Sequence, residues 1–246
     1  MNLENILFSQ GFGSRRECRA LITQGRVTLA GITCLNPAHE VELSDAFTFG
    51  VDGRVWPCRE RVYVLLNKPA GYECSREPQH HLSVLSLLPP QFATRGVQCV
   101  GRLDQDTTGL LLFSDDGQFI HALTSPKRKV PKVYLARTRH PLDATQLDAL
   151  RTGVLLHGEA KPVAALAAQA RSEHLLELTV QEGKYHQVKR MVAAAGNRVE
   201  ALHREQIGQL TLPATLAEGA WQWLDAADLE RLAQRGPAAA PGHDLA

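Results

Sequence analysis

The chain has 246 residues, with 27 Lys and Arg against 26 Asp and Glu, 44% hydrophobic and 22% charged residues; at roughly 150 residues per domain this is one to two globular domains, neither disordered nor fibrous. No apolar run approaches the ~18 residues of a membrane span, and Met1 to Gln10 carries Glu4 and no Lys or Arg, unlike a secretory signal, so a cytoplasmic protein without a membrane partner is expected. The five cysteines, Cys18, Cys34, Cys58, Cys74 and Cys99, show no close pairing and imply neither a disulfide framework nor a zinc site.

Residues 1–57 read as a small unit of their own. Leu3, Ile6 and Leu7 recur at helical spacing, and Gly11 or Gly13 can end that helix. Ser14 with Glu17 forms a capping box that opens a second helix, whose apolar stripe Cys18, Leu21 and Ile22 turns Arg15, Arg16 and Arg19 toward solvent. Arg26 to Thr33, with Gly31 near its middle, suggests a hairpin. Val41 to Phe49 alternates like a strand, and Val51 to Cys58, with Asp52, Gly53 and Pro57, is the expected linker.

From Val62 the texture changes. Val62 to Leu66 is an apolar run fit for a buried strand, and Asn67 to Gly71 is expected as a loop. Strands are predicted over Gly109–Phe113, Val133–Thr138, Leu175–Val180 and Trp221–Leu224; helices over Gln118–Thr124, Asp143–Arg151, Tyr185–Ala195 and Ala226–Gln234. Gly236 to Ala246 reads as a disordered tail beyond a domain spanning 58–235. Without a regular repeat or a phosphate-binding Gly-rich loop, the expectation is an α+β domain with a mixed or antiparallel sheet.

Charge is unevenly placed along this domain. Gly117 to Leu142 holds no Asp or Glu but holds Lys127, Arg128, Lys129, Lys132, Arg137 and Arg139. Such clustering suits a phosphate-facing surface, and equally a solvated basic strand edge.

Arg102, Leu103, Asp104, Gln105 and Asp106 place carboxylates directly before the strand that starts at Gly109. A carboxylate at a strand mouth can be held rigid and partly dry, as a nucleophile needs, but Asp104 or Asp106 can also simply cap a turn. On the helix from Tyr185, the stripe Val188, Met191, Val192 and Ala195 leaves His186, Lys189 and Arg190 on a second face, where they read as solvated charges unless they meet a partner.

"SRRECRALITQGRVTLAG" at residues 14–31 resembles the small alpha-L RNA-binding module of a ribosomal protein and several RNA-modifying enzymes. "LNKPAGY" (66–72), "GRLDQDTTGLLLFSDDG" (101–117), "KVYLAR" (132–137) and "EGKYHQVKRMVAAAGNRVEALHREQIG" (182–208) are similar, in order and spacing, to motifs of bacterial ribosomal-RNA pseudouridine synthases. "YHQVKRM" and "LHREQIG" look most like the branch acting on small-subunit 16S rRNA. The resemblance implies isomerisation of one uridine, at position 516 of that rRNA, by a monomer without cofactor or metal, acting on 16S rRNA or an assembling small subunit. It makes Asp104 the catalytic aspartate, Tyr134 the residue packed on the extruded uracil, and Lys189 the cation that keeps Asp104 ionised. Arg102 would enter the RNA stack in place of the flipped nucleotide or contact its phosphate. Arg15, Arg16, Arg19, Arg26, Lys132, His186 and Arg190 would face RNA. Two competing readings are a non-catalytic RNA-binding assembly factor and a metal-dependent nuclease built on Asp104, Asp106, Asp115 and Asp116.

Overall fold

The structure is a computed structural model and describes residues 1–234. The tail expected at Gly236 to Ala246 lies outside the described residues. The chain divides into two compact units, one of residues 1–62, 85–98 and 114–116, the other of residues 63–84, 99–113 and those from 117 onward.

The first unit opens with helices α1 (Leu3–Ser9) and α2 (Arg15–Thr23). The Ser14/Glu17 capping box is present in full, so the N–H groups of Ser14 and Glu17 are satisfied locally. Strands β1 (Val27–Leu29), β2 (Ile32–Thr33), β3 (Thr48–Val51) and β4 (Arg54–Pro57) form a sheet of order β2-β1-β3-β4. Leu3, Ile6, Leu7, Cys18, Ile22, Val27, Phe49 and Trp56 close its core. The expected linker at 51–58 is instead one arm of a β3/β4 hairpin. Asp52 (φ 52°) and Gly53 (φ 77°) both take the left-handed backbone of a tight two-residue hairpin turn, and burial of Trp56 fixes the arm. Of the alternating stretch 41–49 only Thr48 and Phe49 enter a strand, in β3.

Helix α3 (Pro90–Thr94) belongs to the same unit, and the side chain of the Arg95 that follows it is 8% exposed. Arg95 pairs with Asp115 at 2.7 Å and donates to the carbonyls of Arg59 and Glu60 and to Gln10 Oε1. Asp115 also accepts from the Val62 N–H. Its carboxylate is therefore committed to structure, which removes one of the four ligands that the nuclease reading requires.

In the second unit, a mixed sheet runs β11 (Ala167–Ser172), β12 (Leu175–Val180), β10 (Lys132–Thr138), β13 (Val199–Ile207), β9 (Thr108–Ser114), β5 (Tyr63–Lys68) and β15 (Trp221–Trp223). Short strands β8 (Gln98–Val100) and β14 (Leu210–Thr211) join β9 and β13, and β6 (Tyr72–Glu73) pairs with β7 (Leu82–Ser83). Helices α5 (Ala144–Thr152) and α6 (Gln187–Ala194) pack on one core with Leu176, Leu178 and Leu202; α4 (Gly117–Thr124) and α7 (Ala226–Ala233) pack on another with Leu65, Leu110 and Leu112. This is the expected α+β architecture.

Two boundaries and two strands differ from the sequence reading. Asn67 and Lys68 continue β5 rather than opening a loop. The helix expected from Tyr185 begins at Gln187, because His186 has φ 46° and cannot continue a right-handed helix. The strands β11 and β13 were not foreseen. β13 lies between β10 and β9, antiparallel to the first and parallel to the second. Gly109 makes the parallel contact possible: at φ 99°, a Cβ there would stand 2.4 Å from the Arg204 carbonyl oxygen.

Candidate active site

The turn Gly101 to Thr107, which leads into β9, carries Asp104 and Asp106, and Lys68 holds it in shape. The Lys68 side chain is wholly buried, and its ammonium donates to the carbonyls of Pro69 (2.9 Å), Gln105 (3.1 Å) and Thr107 (2.9 Å). All three of its donors are thereby used. Burial pushes the Lys68 pKa down, opposed by Cys74, Asp106 and Asp104 nearby. The Gly71 N–H donates to the Gln105 carbonyl, and the Thr107 N–H to that of Asp104, which closes the turn.

Asp104 stands between two groups from the start of α6. Lys189 Nζ is 3.3 Å from Oδ2, and His186 Nε2 is 3.4 Å from Oδ1. Lys189 is closer still to Asp106, at 2.6 Å, so one cation serves two carboxylates. Burial works to raise the Asp106 carboxyl and to lower the Lys189 ammonium. Their hydrogen bond and mutual charge attraction, joined on Lys189 by the charge of Asp104, together outweigh burial and leave Asp106 below and Lys189 above its ordinary pKa. The His186 ring stacks on the exposed Tyr185 ring at 3.8 Å. Arg190, on the same helix, donates to the Tyr185 and His157 carbonyls, so its donors shape the approach to α6.

Arg102, Asp104, Lys132, Tyr134, Tyr185, His186 and Arg204 line one cleft of about 460 Å³, a volume typical of small-molecule sites. Arg102 is exposed at its mouth. Ser125 and Pro126 also line the cleft, and the adjoining turn Pro126–Arg128 exposes Lys127, Arg128 and Lys129, giving the rim a positive charge. Lys132 donates to the Val130 carbonyl, and burial, then the charge of Arg204, lowers its pKa to about 8.

The model of the RNA pseudouridylate synthase family matches residues 62–194, which include the cleft residues Asp104 and Tyr134 and the Lys189 that pairs with Asp104, and the S4 domain model matches residues 1–47. The chain belongs to the RNA pseudouridylate synthase family. It is 42% identical over 225 residues to "Ribosomal small subunit pseudouridine synthase A" of Escherichia coli K12, covering 90% of this chain and 95% of that protein. It is 37% identical over 224 residues to the protein of the same name in Vibrio cholerae, covering 91% and 96%. A crystal structure of a pseudouridylate synthase is 33% identical, covers 94% of this chain and 99% of its own, and superposes with a TM-score of 0.67. The protein is accordingly an RNA-modifying isomerase.

In this synthase the S4-domain arginines are unequally available. Arg19 pairs with Glu4 at 2.9 Å, and Arg26 with Asp52 at 2.6 Å. Arg15 bonds Asn5 and lies over the Phe8 ring, whereas Arg16 is exposed and outside these pairs.

The synthase cleft also holds groups that the sequence reading passed over. Arg204 on β13 is 2% exposed and sits opposite Tyr134 in the register. Cys74 lines the cleft and accepts from the Leu103 N–H at 3.4 Å. A hydrogen bond with Cys99 draws the Cys74 thiol below its ordinary pKa against burial, with help from that N–H, Lys68 and Arg204. The sequence signal for Arg204 was its place in "LHREQIG", a charged residue in an otherwise strand-like run.

Proposed function

We propose that the protein isomerises a single uridine of small-subunit ribosomal RNA, as a monomer in the cytoplasm, with residues 1–57 gripping RNA and residues 58–235 carrying the reaction. The observation that carries this reading is Asp104 held between Lys189 and His186 beside Tyr134, together with the names of the relatives that cover most of the chain. The target base must leave its helix to reach the cleft. Arg102 at the mouth fills the gap or holds the phosphate, and the basic rim and Arg16 draw in the backbone.

Asp104, paired with Lys189, is the nucleophile, attacking the anomeric carbon or the uracil ring. The N1–C1′ bond breaks, the base rotates against Tyr134, and a C5–C1′ bond forms. C5 then loses its proton and N1 gains one, so neither redox change nor external group transfer is involved. Tyr134 supplies the stacking surface.

The test is to map pseudouridine in rRNA from cells with and without the gene, then to treat the unmodified rRNA with purified protein and with Asp104→Asn. Loss of one small-subunit pseudouridine in the deletion, restored by the wild type and not by the variant, is expected. Strand cleavage sensitive to EDTA, or binding without isomerisation, would overturn the reading.

A further inference from the structure

Arg204 is the most deeply buried cation lining the cleft. Its Nε donates to the Leu110 carbonyl at 2.8 Å and Nη1 reaches the Tyr134 hydroxyl at 3.5 Å, while Nη2 is buried with no hydrogen-bond partner. No carboxylate lies within ion-pair distance of it among the described residues. Asp104 and Asp106 are paired with Lys189 instead. A guanidinium cannot shed its proton to escape burial, and a buried donor left unpaired is costly. Lys132, two residues before Tyr134 on β10 and lining the same cleft, adds a second cation. The floor of the cleft is thus cationic and short of one acceptor.

The uracil ring supplies what is missing. It carries carbonyl oxygens at C2 and C4, and both routes for Asp104 load the ring with electrons. Departure of N1 from the anomeric carbon leaves the bonding pair on N1 and the carbonyl oxygens; addition of the carboxylate to the ring pushes charge onto a carbonyl oxygen. A preorganised donor aimed at that oxygen stabilises the charge as it forms. Building on the proposed function above, we propose that Arg204 is a catalytic residue of this reaction: with Nη1 kept on Tyr134, Nη2 donates to a carbonyl oxygen of the flipped uracil and stabilises the negative charge that the ring acquires. Arg204 stays protonated throughout and transfers no proton.

The test uses full-length Arg204→Met and Arg204→Lys, checked for folding by thermal unfolding, on small-subunit rRNA carrying uridine, 2-thiouridine or 4-thiouridine at the position that the wild type modifies. Sulfur is a weak acceptor, so one thio substitution should slow the wild type. Removal of one such donor costs roughly 100-fold in kcat, with KM within about 3-fold because the RNA grip lies elsewhere. In either folded variant that same thio substitution should bring no further loss, which a merely structural role for Arg204 would not produce. Arg204→Lys keeps the charge but not the fork and serves if Arg204→Met does not fold. Equal thio effects in wild type and variant, or a variant kcat within about 3-fold of wild type, overturn the proposal. A wild type that forms no pseudouridine defeats the underlying reading, and this one with it.

Discussion

The buried ammonium of Lys68 donates to the Thr107 carbonyl at 2.9 Å, joining the end of β5 to the end of the aspartate turn across 39 residues of sequence. Lys68→Met would strand three buried carbonyls at once. We expect a loss of about 2–4 kcal/mol in urea unfolding, with kcat falling further than the remaining folded fraction explains. Unchanged stability would show that water replaces the ammonium.

Asp104→Asn keeps shape and removes the proposed nucleophile, so pseudouridine formation should cease while RNA binding persists. Residual activity within tenfold of wild type would remove Asp104 from the reaction.

Lys189 divides its charge between Asp104 and Asp106, and the two partners predict opposite results. Lys189→Met should cripple turnover, because it leaves Asp104 without its cation. Asp106→Asn should cost little, because it releases Lys189 toward Asp104. Single-turnover rates for both variants decide, and a larger loss in Asp106→Asn would make Asp106 the working carboxylate.

Burial and Arg204 lower Lys132 from its ordinary 10.5 to about 8. The folded state therefore binds fewer protons than the unfolded one between those values, and stability rises with pH across that window. Below pH 8 the charged ammonium carries its full penalty. Lys132→Met should raise stability by about 1–2 kcal/mol at pH 6–7, after loss of its bond to Val130 and some solvent screening, and the gain should vanish by about pH 10.5. Denaturant titrations at several pH values test this, and a gain that grows with pH would be the wrong sign.

Among the S4-domain arginines, Arg16→Gln should lower the salt slope of RNA binding by about 0.7–0.9, since that side chain is not held by a protein acid. Arg26→Gln should lower it less, because Asp52 already neutralises Arg26. Equal slopes for the two would show that RNA displaces Asp52.

Local signals in the sequence determined much of the secondary structure. The Ser14/Glu17 box, the Leu175–Val180 alternation and the Val188/Met191/Val192 stripe each need only neighbouring residues, and each appears in the structure at its expected place. Family resemblance then marked Asp104, Tyr134 and Lys189. Tertiary structure decided what local patterns do not encode. β13 contains Glu200, His203, Arg204 and Glu205 and looks solvated, but it is an interior strand, because β10 and Gly109 of β9 close on it from either side and bury Arg204. Lys68 stands two residues past an apolar run, in a stretch that reads as a loop from Asn67 onward, but the carbonyls that make it an interior residue come from Pro69, Gln105 and Thr107. Asp52-Gly53 serves equally as a linker or a hairpin turn until Trp56 finds a core to fill. A charged side chain is stable inside a protein only when partners distant in sequence receive it, and the choice of those partners belongs to the fold.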